Sequence, residues 1–183
     1  MRKSFTLVVM VLTACSAFAQ TKVPSAAMQI KTAVMAAPED KREGAAVLGY
    51  NQQGELVQLR KGSNDMVCLA DDPNQKGVSV SCYHRDLEPF MARGRELRKA
   101  GKSTKEIFDM REQEVKSGKL SMPEQPSALF VYTASDENYN QATGEVKDGY
   151  LRYVVYIPYA TAEGTGLPLK PSEPGMPWIM HPG

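Results

Sequence analysis

Cys68 and Cys82 lie fourteen residues apart, and what stands between them restricts this chain more than any other feature. Residues 71–77 (DDPNQKG) form a turn cluster of Asp, Pro, Asn and Gly, and short strand-like runs flank it on both sides. The pattern predicts a hairpin that brings the two cysteines together across its strands. In an oxidising compartment such a pair forms a disulfide, and closing a loop of this length contributes about 3 kcal/mol in the chain-entropy model. The spacing is not Cys-x-x-Cys, so it does not point to a redox or metal-binding pair.

The first nineteen residues supply the compartment. Arg2 and Lys3 precede an apolar run from Phe5 to Leu12, and Ala17-Phe18-Ala19 then matches a small-x-small site, so residues 1–19 read as a secretory signal peptide cleaved before Gln20. The run is shorter than the roughly 20 apolar residues that span a bilayer, and no later segment is longer, so no transmembrane helix is expected. A second processing scheme also fits: Leu12-Thr13-Ala14-Cys15 matches a bacterial lipobox, in which Cys15 is acylated and becomes the N-terminus. Either scheme removes Cys15 from the pool of free thiols and leaves an even pair. The expected location is periplasmic or secreted, with lipid anchoring to the envelope under the second scheme.

The full chain of 183 residues carries 22 Lys and Arg against 21 Asp and Glu. Loss of Arg2 and Lys3 with the signal leaves 20 basic residues against the same 21 acidic ones. A near-neutral chain has no Lys/Arg excess to drive counterion release, which argues against a nucleic-acid partner.

Residues 20–43 mix Ala, Met and Lys with Pro24 and Pro38 and end in a charged run; they read as a tether with one short helix or strand near Met28 to Met35. From residue 44 to 183 the pattern is that of one α+β domain. Ala45–Tyr50, Glu55–Arg60, Met66–Ala70 and Val78–Tyr83 read as four short strands separated by turns, which suggests an antiparallel meander. A helical hairpin follows. Asp86 is placed to cap its first helix, with Glu88 and Pro89 in the first turn and Gly101 at the end. Ser103 and Glu106 form a capping box for the second, which runs to about Lys116. Phe90, Met91 and Leu97, then Ile107, Phe108, Met110 and Val115, mark the inner faces.

Two further strands are expected at Ser127–Thr133 and Tyr150–Tyr159. The second (YLRYVVYIPY) is apolar or aromatic at both alternating positions except Arg152, which reads as a central strand covered on both sides. Ala134 to Gly149 reads as a long polar loop. The Pro- and Gly-rich tail from Gly166 is expected to drape over the core with Trp178 buried.

No assembled catalytic motif appears. Gly101-Lys102-Ser103-Thr104 resembles the end of a P-loop, but Glu96 stands where the first glycine belongs. Residues 72–83 fail as a calcium loop, because Lys76 and Tyr83 occupy ligand positions; Asp136 to Glu145 is richer in oxygen ligands and remains a candidate calcium loop, though Gln141 and Lys147 depart from the pattern. His84, close to Cys82 and Asp86, is the candidate general base of a small envelope hydrolase. Against that, no Gly-x-Ser-x-Gly elbow or His-Glu-x-x-His pair occurs. The basic stripe Arg93, Arg95, Arg98, Lys99, Lys102 and Lys105 is offset by Glu96, Glu106, Glu112 and Glu114 and reads as a solvated helix surface.

Gly62-Ser63-Asn64, Cys68-Leu69-Ala70-Asp71-Asp72-Pro73, Cys82-Tyr83-His84 and Pro177-Trp178-Ile179-Met180 together resemble a family of uncharacterised exported bacterial proteins. The resemblance covers roughly residues 44–183 and implies export, with no activity, cofactor or ligand attached to it. The expectation from sequence is therefore an exported α+β protein: an antiparallel sheet of a meander plus two C-terminal strands, with the helical hairpin packed on one side. Its expected role is a non-enzymatic binding or structural module without catalytic residues or cofactor, facing an envelope or extracellular partner.

Overall fold

The computed structural model describes residues 23–180. Cys15, the signal segment and Gln20 lie outside the described residues, as does His181. Helices and one main sheet make the α+β architecture: α1 is Ala26–Ala33, α2 Glu88–Lys99, α3 Thr104–Lys116 and α4 Ala162–Thr165. The strands are β1 Ala46–Tyr50, β2 Leu56–Arg60, β3 Met66–Leu69, β4 Val78–His84, β5 Ser127–Ala134, β6 Tyr139–Asn140, β7 Glu145–Val146 and β8 Tyr150–Tyr156. Six of them form a sheet in the order β2-β1-β3-β4-β5-β8, and β6-β7 form a separate two-stranded ladder. Among the described residues no helix is long and apolar enough to cross a membrane.

The four N-terminal strands are present, but they are not a simple meander. β1 and β2 form the expected antiparallel hairpin around Gly54, while β3 pairs parallel to β1 on its other side. The chain must therefore cross the start of β1 in the five residues after β2. Gly62 makes this passage possible, since a Cβ there would sit 2.7 Å from the Ala46 backbone nitrogen. The Gly44 carbonyl accepts the Ser63 and Asn64 N–H groups at 2.8 and 3.1 Å, and the Asn64 side chain donates to the Lys41 carbonyl at 2.7 Å. The Gly62-Ser63-Asn64 triplet is thus a crossover clasp. From β3 onward every pairing is antiparallel.

Cys68 and Cys82 stand directly opposite each other in the β3–β4 register and are joined by a disulfide, with Cα atoms 4.0 Å apart. Both are fully buried. Strand alternation puts them on the same face as Val78 and Val80, and that face is covered by the segment expected to be a tether. α1 and the 3₁₀ turn Val34–Ala36 lie on it, with Ala33, Ala36 and Ala37 buried in the same cluster as Val47, Val80 and both cysteines. The Ala33 carbonyl oxygen touches Cys82 Sγ at 3.3 Å. Gln29, itself buried, stands in for a strand where β3 has ended: its Nε2 donates to the Tyr50 carbonyl and its Oε1 accepts the Tyr50 N–H, both at 2.8 Å.

The helical hairpin packs on the opposite face. Tyr83, buried and of opposite parity to Cys82, donates its hydroxyl to Glu88 and accepts from Arg95 Nη1 at 2.9 Å, while Arg95 Nη2 reaches Glu88 at 2.5 Å. α2 is thereby clamped to β4. Its start differs from the sequence expectation: a 3₁₀ turn, Arg85–Leu87, precedes it, and Leu87 rather than Asp86 is the residue before the helix. Pro89 does occupy the first turn, and Gly101 follows the helix with φ +79°. α3 begins with the reciprocal Ser103–Glu106 capping box. Phe90, Leu97 and Ile107 are buried between the helices and the sheet.

Two expectations about the C-terminal part are corrected. Among the described residues β8 is an edge strand, paired with β5 alone and exposed along most of its length. Trp178 is 37% exposed, and its neighbour Ile179 is the buried residue of the tail, with its N–H bonded to the Pro168 carbonyl. The polar loop between β5 and β8 is also more ordered than expected, since it contains the β6–β7 hairpin.

Candidate functional site

His84 caps the Arg85–Leu87 turn. Its Nδ1 accepts the Asp86 N–H at 3.3 Å, and its Nε2 lies 3.4 Å from the Asp65 carboxylate. The Asp86 carboxylate lies 3.3 Å from the same Nδ1. The sequence neighbour Cys82, two residues back on the same face of β4, is fully buried and closed in the disulfide. No serine, threonine or thiol contact to the imidazole occurs among the described residues, so His84 is held between carboxylates as a turn cap rather than beside a nucleophile.

A concavity of about 700 Å³ opens nearby between Arg85, Asp86, Pro89 and Met122. Glu88 also lines it, but its carboxylate is already engaged by Tyr83 and Arg95. A second concavity, about 900 Å³ and open to solvent, lies over Asp136–Ala142. Two of the oxygens that a calcium loop would use there accept backbone N–H groups: Asp136 Oδ1 from Gly77 at 2.8 Å, and Asn140 Oδ1 from Ala142 and Thr143. The β6–β7 hairpin instead docks on α1, with Lys31 Nζ donating to the Thr143 carbonyl at 2.7 Å. Among the described residues no group of three or more His, Cys, Asp and Glu is placed to hold a metal ion.

The charged stripe on the helical hairpin resolves mostly into ion pairs. Arg93 bonds Glu114 at 2.6 Å and Glu96 at 3.0 Å, and Lys102–Glu106, Lys105–Asp109 and Lys116–Glu112 follow at helical spacing. Such exposed pairs contribute little each.

What remains is β8. Its register with β5 sets Leu151, Tyr153 and Val155 on the face continuous with Phe130 and Tyr132, and Val154 and Tyr156 on the other. The helical hairpin covers only this second face at the C-terminal end of the strand. There Phe90 meets Tyr156 edge-on at 5.7 Å, and the Arg111 guanidinium stacks 4.0 Å from the centre of the Phe90 ring. Burial, the largest influence, raises the Tyr156 pKa, and burial likewise lowers that of Arg111. The first face is open, because α1 and its 3₁₀ extension reach across β1, β4 and β5 but stop short of β8. Tyr153 is 72% exposed, Leu151 51% and Val155 47%. Just past the strand, Tyr159 has φ +56°, a left-handed conformation that a bulky side chain adopts only at a cost. This turn holds its ring outward, 69% exposed.

Comparison with family models, curated proteins and solved structures finds no match to this chain.

The sequence did contain the residues of β8, and the spacing placed the strand. It did not show the strand's position in the sheet, because a strand buried on both faces and an edge strand awaiting a partner carry the same apolar text. A signal lies downstream, where the Pro/Gly-rich residues 166–180 carry no strand pattern.

Proposed function

We propose that this chain is an exported, non-enzymatic binding module that engages its partner through the β8 edge and the open apolar face beside it. One observation carries the reading: between Tyr150 and Tyr159 six apolar or aromatic side chains, Tyr150, Leu151, Tyr153, Val155, Ile157 and Tyr159, are exposed on and just past a strand that forms the sheet edge among the described residues. Exposed apolar patches of this kind mark interaction sites, and unpaired edges accept strands. The signal segment and the disulfide between Cys68 and Cys82 support an envelope or extracellular setting.

Site-specific photo-crosslinking in cells tests this. A photoreactive residue replacing Tyr153 in the full chain is expected to give a discrete adduct in the exported fraction, while the same residue replacing Lys105, 84% exposed on α3, gives none. Absence of an adduct at Tyr153, or equal yields at both positions, overturns the reading. A hydrolase acting through His84 would instead reveal itself as an activity abolished by His84→Ala and indifferent to Tyr153→Lys.

A further inference from the structure

The two edges of the sheet are not alike. β2 is five residues long, ends in Arg60 with Lys61 directly after it, and joins β1 through a register irregularity between Val47 and Leu48; these devices discourage edge pairing. β8 has none of them. It runs seven residues in unbroken register with β5, holds no proline or lysine, and carries a single charge, Arg152.

We infer that β8 pairs antiparallel with β8 of a second copy of this chain, making one continuous sheet across a two-fold axis at Tyr153. The inference rests on the binding-module reading and names its partner. The sequence of the strand favours a copy of itself over an unrelated segment. With the axis at Tyr153, Leu151 faces Val155 of the other copy, Tyr153 faces Tyr153, and Tyr150 faces Tyr156. Partners in this register share parity, so the open faces of the two copies adjoin and their apolar residues form one stripe. Arg152 falls opposite Val154. Moving the axis to Arg152 would oppose two like charges, and moving it to Val154 would bring Pro158 into the ladder; both are disfavoured.

The area is adequate. Tyr150, Tyr153 and Tyr159, each about two-thirds exposed or more, present roughly 400 Å² between them on each copy. That is about half of the ~800 Å² per partner of a standard interface. Leu151, Val155, Ile157 and the strand backbone add to it.

Sedimentation of the purified, signal-free protein over a concentration series tests the pairing. The wild type is expected to move from one to two copies, and Tyr153→Lys to raise the midpoint concentration roughly tenfold or more, since it sets two ammonium groups face to face at the axis. A cooperative melt and a wild-type circular dichroism spectrum show that Tyr153→Lys is folded. Register is read by disulfide trapping: Tyr153→Cys cross-links to itself across the axis, whereas Leu151→Cys, facing position 155, does not. A wild type that stays monomeric throughout, or a dimer indifferent to Tyr153→Lys, overturns the inference. The in-cell adduct separates the two readings: an adduct of twice the chain mass is the homodimer, an adduct of another mass keeps the module and refutes self-pairing, and no adduct refutes both.

Discussion

Asp71 shows how a single residue near a turn sets a pH dependence. Its Oδ1 accepts the Ser79 N–H at 2.8 Å, which favours the ionised form. Burial nevertheless dominates and, with the nearby Asp72 and Asp136 carboxylates, pushes its pKa up to about 6 from the ordinary 3.8. Between those two values the folded state holds a proton that the unfolded state has released, so unfolding free energy falls as pH rises through this window, and the cost is complete above pH 6. Asp71→Asn keeps an oxygen for Ser79 and removes the charge. With solvent screening part of the carboxyl, the variant is expected to gain about 1 kcal/mol at pH 7, or roughly 2–4 °C in Tm. The gain should vanish toward pH 4 in melts followed by circular dichroism, and a variant that melts lower at pH 7 would contradict the account. The sequence places Asp71 in a turn beside Asp72; packing of the Asp136 turn against Gly77 adds a second like charge.

At the scale of elements, α1 carries more of the fold than its sequence suggests. Its inward residues, Gln29, Thr32 and Ala33, are small or polar, so no apolar stripe announces them. The burial works because alanines admit close approach to the sheet and because Gln29 satisfies the Tyr50 N–H and carbonyl beyond the end of β3. Gln29→Ala leaves both groups buried without partners and is expected to cost about 1–3 kcal/mol. Urea titration measures it; a loss under about 0.5 kcal/mol would mean that water replaces the glutamine. The capping box of α3, by contrast, was fully legible, because Ser103 and Glu106 act within one turn of the same helix. The start of α2 was legible only through Pro89, since the turn that displaces Asp86 from the cap is built by His84 at the end of a strand.

For the whole molecule, the Cys68–Cys82 bond ties the parallel pair β1–β3 to the antiparallel half of the sheet, at a point where α1 packs across both. Replacing both cysteines with alanine is expected to cost about 2–4 kcal/mol, seen as a lower denaturation midpoint without change of fold. If the midpoint is unmoved, the buried face of β3 and β4 holds without the bond. The six strands of the main sheet, the helical hairpin, the disulfide pairing and the α+β class were determined by the sequence itself, because each depends on turn residues, caps or alternation over a short stretch of chain. The tertiary structure alone decided the rest: β3 on the far side of β1, α1 on the core, the helices on opposite faces, and β8 at an open edge. Those outcomes turn on which surfaces meet, and an apolar strand reads the same whether its own chain or a second one comes to cover it.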